Sequence, residues 1–156
     1  MNYYRKQLIQ ILLLIGVALS INNCAEKTPH MELVIKSGKN LNPNKDNIPS
    51  PLVLHFYELK DTESFSKLDF WGLSDEAKQR LEGSLLSQSK HILIPNEEQT
   101  YKILFDQNTK YFGVVGSFRN IEGSTSWRYV KALEKGYNKT QLIIDNSSIK
   151  EMNNDK

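Results

Sequence analysis

Hydrophobic and polar residues alternate in short blocks along most of this chain. The main exception is the run Pro51-Leu52-Val53-Leu54-His55-Phe56-Tyr57-Glu58-Leu59-Lys60. It is apolar on both faces, which predicts a strand at the centre of a sheet, opened by a proline where the missing N–H is tolerated. Other blocks alternate with the two-residue period of half-buried strands. At 31–36, Met31, Leu33 and Ile35 share one face and Glu32 and Lys36 the other. Further strands are predicted at 91–94, at 100–105 with Tyr101, Ile103 and Phe105 against Lys102, and at 111–118 with Gly113 and Gly116 allowing close backbone approach. Two more follow at 126–133, with Trp127, Tyr129 and Val130, and at 140–145, with Leu142, Ile143 and Ile144. About seven short strands between polar turns predict a mainly β, two-sheet sandwich. Its expected span is 31–146.

The period changes at 61–87. Phe65, Leu68 and Trp71-Gly72 suggest one or two helical turns. Ser74 then reads as an N-cap with Asp75 and Glu76 in the first turn, and Ala77, Leu81 and Leu85 form one apolar stripe. A small helical insertion packed on the sandwich is predicted. Between the first two strands, 37–51 breaks every period: Gly38, Asn40, Asn42, Asn44 and Asn47 are interspersed with Pro43, Pro49 and Pro51. This is a long irregular loop, and such loops are more often functional or disordered than mere connectors. Leu41 and Ile48, set within it, either tuck onto the core or meet a partner, and the pattern leaves both open. On the second reading, 40–48 is exchangeable for a Gly/Ser linker at little cost to folding. Residues 147–156 are polar and are expected to form a disordered tail.

The N-terminus has a different pattern. Arg5 and Lys6 precede Leu8, Ile9 and an apolar run at 11–19, which ends in Ser20-Ile21-Asn22-Asn23-Cys24. A basic start, a short apolar middle and a polar end make a secretory signal, and the run is short for a bilayer span of about 20 residues. The segment resembles a bacterial lipoprotein signal peptide. Ile21 fits the aliphatic lipobox position, Asn23 stands where Gly, Ala or Ser is usual, and Cys24 is the residue that would carry the lipid. A plain cleaved signal with Cys24 as a free thiol is the alternative. Residues 24–30 read as a tether, and Ala25 in place of aspartate after the cysteine favours outer-membrane sorting.

Charge and candidate chemistry narrow the function. The chain has 20 basic and 18 acidic residues, and cleavage after Asn23 removes two bases and no acid, leaving a formally neutral domain. Nothing in that balance suggests a nucleic-acid partner. Cys24 is the one cysteine, so no internal disulfide can form. His30, His55 and His91 are far apart and show no metal spacing, and His55 within the apolar run is expected to be packed. There is no nucleophile elbow and no phosphate-cradling glycine loop. Ser64-Phe65-Ser66-Lys67 and Ser87-Gln88-Ser89-Lys90 match Ser-x-x-Lys without its companion motifs. No enzyme, cofactor or small-molecule substrate is expected, and the function should be adhesion to a partner.

Several stretches together carry a family resemblance: Leu41-Asn42-Pro43; Pro49-Ser50-Pro51-Leu52-Val53 running into Phe56-Tyr57-Glu58-Leu59-Lys60-Asp61; Phe65 with Leu68-Asp69-Phe70-Trp71; Tyr111-Phe112-Gly113-Val114-Val115; Phe118-Arg119-Asn120; and Trp127-Arg128. In order and spacing they resemble the TssJ (SciN) outer-membrane lipoproteins of the type VI secretion system. The resemblance implies a transthyretin-like sandwich with a small helical addition, facing the periplasm from the outer membrane. It implies docking to the periplasmic C-terminal region of the inner-membrane protein TssM within a TssJ–TssL–TssM complex, with the loop between the first two strands taking part. The expected surface is Asn40, Leu41, Asn42, Asn44, Lys45, Asp46, Asn47 and Ile48, with Arg119 and Asn120 as a rim, since alternating strands would bring the loops at 95–99 and 119–125 to the same end. A lipoprotein carrier of a small ligand and a pilot lipoprotein for an outer-membrane pore subunit are the competing readings.

Overall fold

In the computed structural model, which describes residues 27–74, 76–124 and 126–152 together with Tyr4 and Gln7, two four-stranded sheets pack face to face. Residues 1–26 other than those two, Cys24 among them, therefore lie outside the described residues, as do Asp75, Thr125 and 153–156. The strands are β1 (His30–Ser37), β2 (Leu52–Leu59), β3 (Leu85–Leu93), β4 (Glu98–Leu104), β5 (Tyr111–Gly116), β6 (Arg128–Ala132), β7 (Tyr137–Asp145) and β8 (Ser148–Glu151). One sheet has the order β4-β1-β7-β8 and the other β3-β2-β5-β6. All neighbours pair antiparallel except β1 with β7. Each strand thus runs opposite to the one before it in sequence.

The two-sided apolarity of β2 has a direct structural cause. It lies between β3 and β5, and both of its faces are covered. Leu52, Leu54 and Phe56 point between the sheets, into a core with Met31, Leu33, Ile35, Phe112, Val114, Leu142 and Ile144. Ring contacts of Phe112 with Phe56 and Phe105, at 5.3 and 5.5 Å, fill the space there. Tyr57 and Leu59 point the other way, into a second cluster with Phe65, Leu73, Ala77, Leu81 and Val115. That cluster is roofed by the helical insertion: α1 (Glu63–Lys67), α2 (Phe70–Ser74) and α3 (Ala77–Arg80). The Tyr57 hydroxyl donates to the Leu73 carbonyl, which fixes the roof to the sheet. Gly113 lies under the Phe65 ring, where a Cβ would come within 2.8 Å of Cζ. His55 is buried, with Nε2 3.0 Å from Ser117 Oγ.

Three expectations are corrected. Ser74 ends α2 instead of capping the next helix, and its hydroxyl turns back to the Trp71 carbonyl. The stripe Ala77-Leu81-Leu85 is not one helix face. The chain leaves α3 at Arg80, turns through Gly83 at φ +88°, and Leu85 opens β3. A glycine at positive φ ends the helix where four-residue spacing alone would have continued it. The stretch after 146 also does more than trail: β8 pairs with β7 and buries Ile149, making an eighth strand among the described residues.

Candidate functional site

Alternating strand directions collect the connections 38–51, 94–97, 117–127 and 146–147 at one end of the sandwich, here the loop end. The helical insertion, 105–110, 133–136 and the entering segment 27–29 share the other, the tether end. Loops 95–99 and 119–124 therefore do neighbour the first loop.

One side chain clasps the loop end. Asn42 Nδ2 donates to the Pro51 carbonyl at 2.8 Å, and its Oδ1 accepts the Arg119 N–H at 2.8 Å. Its own N–H donates to Asn146 O at 2.8 Å. Three loops thus meet on one buried residue. Ser37 does the same for the fourth: its hydroxyl donates to Ile94 O at 2.6 Å and accepts the Glu97 N–H at 2.7 Å. Asparagine is the non-glycine residue best suited to the left-handed region. Among the described residues, the non-glycine positive-φ positions are Asn42, Asn47, Asn96 and Asn146, all at this end.

The ten expected surface residues divide by burial. Leu41 is fully buried and joins the inter-sheet core, and Asn42 is 3 % exposed. Neither presents a side chain outward, so both leave the surface set, and exchange of 40–48 as a block would remove a core plug and the clasp together. Asn44 is half-buried and builds the tip: its Oδ1 accepts the N–H groups of Asp46 and Ile48, both at 2.9 Å. The backbone pair Asn44 N–H to Ile48 O, at 2.9 Å, closes the turn. Asn40, Lys45, Asp46, Asn47 and Ile48 are exposed, Ile48 at 58 %. Arg119 and Asn120 are exposed beside them, with the Arg119 N–H held by Asn42. The result is a pre-formed tip that holds an isoleucine in solvent within a polar rim. A rigid tip loses little freedom on binding, which favours affinity.

Two residues of this end were not recognised from sequence. Asn96 and Asn146 turn the chain at two of the other three loops, and Asn146 anchors Asn42.

At the far side, Arg128 reaches out of β6 to the insertion. Its guanidinium donates to the carbonyls of Phe65 at 3.0 Å, Leu68 at 2.9 Å and Ser66 at 2.8 Å, and stacks 4.9 Å from the Trp127 ring. It is a structural clamp on the last turn of α1. No group of His, Cys, Asp and Glu among the described residues could hold a metal ion.

The family model for type VI secretion lipoproteins (T6SS-SciN: VasD, EvfM, TssJ) matches residues 29–147. The crystal structure of the T6SS lipoprotein TssJ1 from Pseudomonas aeruginosa is similar at 27% identity and TM-score 0.76, covering 80% of this chain and 95% of that one. A chain of a structure described as the type VI membrane complex superposes with TM-score 0.72 at 22% identity, covering 81% and 100%. A chain of a structure described as the TssM C-terminal domain from EAEC does so with TM-score 0.68 at 23% identity, covering 78% and 99%. No curated protein sequence matches significantly. The family is a structural lipoprotein component of a secretion system and not a family of enzymes. With the family model spanning seven of the eight strands, this chain belongs to the type VI secretion lipoprotein family, TssJ/SciN.

Proposed function

We propose that this protein is anchored in the outer membrane by lipid on Cys24 and docks, through the loop end, on the periplasmic C-terminal region of a TssM-like inner-membrane protein in a TssJ–TssL–TssM-type complex. Its role is adhesion, with no catalysis, cofactor or small-molecule substrate. The observation that carries the reading is the pre-ordered tip, with Ile48 exposed inside a rim of Asn40, Lys45, Asp46, Asn47, Arg119 and Asn120. An apolar anchor within a polar rim is the anatomy of a protein interface. Likeness to a structure described as containing the TssM C-terminal domain supports the choice of partner. A carrier would need an apolar cavity, and phenylalanine rings occupy the space between these sheets.

The test is Ile48→Asp in the detergent-solubilised full chain, titrated by calorimetry with the periplasmic domain of the TssM-like partner. Because Ile48 is outside the core, stability should move by less than about 0.5 kcal/mol. Affinity should fall at least about tenfold, the loss expected when a hot spot worth more than about 1.4 kcal/mol goes. Unchanged affinity would move the interface off this end.

Cys24→Ser should shift the protein from the outer-membrane fraction to the soluble periplasmic fraction and stop secretion. A single acyl chain gives marginal binding, and a multiply acylated cysteine gives a stable anchor. A serine variant that still sediments with the outer membrane would show that something else holds it there.

A further inference from the structure

The tether end carries two features that the docking reading does not use. The first is a cleft of about 720 Å³ where the chain enters the fold, lined by Lys27, Lys60, Lys110 and Lys135, with Glu134 the carboxylate among its described lining residues. Thr109 and Asn108 also line it. The second is an apolar row on the outer face of the first sheet. Leu104, His30 and Tyr137 are directly opposite one another on β4, β1 and β7. Leu104 is 75 % and Tyr137 57 % exposed, and the His30 and Tyr137 rings lie 5.7 Å apart. The two features adjoin: Pro29 lines the cleft and its carbonyl accepts the Phe105 N–H, while His30 N–H donates to Gly136 O.

We propose that this end is a membrane seat: the lysines lie on anionic phospholipid headgroups, and Leu104 and Tyr137 dip into the interface, so that the domain stands upright with its loop end outward. The proposal rests on the lipid at Cys24. Lys27 is three positions along the chain from Cys24, and a fully extended chain covers at most about 3.6 Å per residue, so Lys27 stays within about 11 Å of the anchored residue. A surface held that close to a bilayer meets headgroups whether or not it binds them. Its composition is the one that binds: lysines attracted to an anionic leaflet, and an aromatic whose ring and hydroxyl suit the interface. A second protein as occupant would have to displace the membrane from this short leash. The opposite end differs in kind, with Lys45 beside Asp46 and no comparable lysine cluster among the lining residues of its loops.

The test uses the full chain, purified in detergent and reconstituted into vesicles of phosphatidylcholine alone or mixed with phosphatidylglycerol. Lysines are labelled with an amine-reactive reagent and read by peptide mass spectrometry, with Lys45 as the loop-end reference. Labelling of Lys27, Lys60 and Lys110 should fall several-fold relative to Lys45 on the anionic vesicles and change little on the neutral ones. Leu104→Asp combined with Tyr137→Asp, both at exposed positions, should restore the labelling while leaving the thermal transition in place. Equal labelling at both ends on anionic vesicles overturns the seat. Protection of the same size on neutral vesicles overturns the headgroup assignment, as does equal protection by inorganic phosphate without vesicles. Intact mass reports the lipid on Cys24 separately. If the lipid is missing, the anchor reading falls, and labelling with added anionic vesicles still decides the seat by the same criterion.

Discussion

Leu41→Ala should cost about 2–5 kcal/mol of stability, the range for removing a fully buried leucine whose cavity cannot wholly collapse. The position is inside the irregular loop, yet its side chain has no exposed surface and packs in the same cluster as Leu33, Leu52 and Leu142. It caps the core at the end where both sheets run out of strand. Asn40 N–H to Asp145 Oδ1 on one side, and Asn42 with its three partners on the other, hold the backbone so that it cannot follow a shortened side chain inward. The upper half of the range is therefore expected. Urea denaturation measures it, with an unchanged m-value showing that the native fold persists. The paired control is Ile48→Ala, seven residues on in the same loop, which should leave stability nearly unchanged. If Leu41→Ala is also silent, the loop does not plug the core, and the Gly/Ser exchange of 40–48 would be tolerated after all.

That contrast shows what the sequence could and could not convey. The strand pattern was legible because most strands alternate, and β2 announced its central place by being apolar on both faces. Its second face also implied a cover, and the change of period at 61–87 supplied it. Leu41 and Ile48 could not be told apart, because the sequence around each is asparagine and proline and carries no period. What separates them is tertiary: Asn42 draws the chain in at one point, and Asn44 turns it out at another. β3 was recognised only from His91 onward, since it is an edge strand with Ser87, Ser89 and Lys90 in its first half, and its pairing to β2 makes it a strand. β8 was missed for the same reason, with Ile149 as its single buried residue. The exposed site residues were marked by composition and by family likeness, whereas the clasp that positions them depends on which loops meet.

Arg128→Ala should be the other strongly destabilising change, by about 2–4 kcal/mol, although the residue is only half-buried. Hydrogen bonds from a charged donor contribute about 1.5–3 kcal/mol each, and leaving an acceptor unmet inside the protein costs about 1–3 kcal/mol. Here three carbonyls in four residues, Phe65, Ser66 and Leu68, converge on one guanidinium. Solvent reaches the Ser66 bond and can replace it in part, so the sum of three full bonds is not expected. The remaining loss comes from geometry. α1 has five residues, too few to be stable alone, and Arg128 holds its carbonyl end, where the helix dipole favours a cation. Releasing that end frees Phe65 from its place over Gly113 and loosens the roof on Tyr57. Arg128→Lys should recover less than half of the loss, because an ammonium cannot span three carbonyls with one planar fork. If the clamp works by seating Phe65, then Arg128→Ala should cost clearly less in a Phe65→Ala background than in the native one, since both changes remove the same support. Additive losses in that double-mutant cycle would mean that Arg128 stabilises the sheet through Trp127 alone, with α1 held in place by its own contacts.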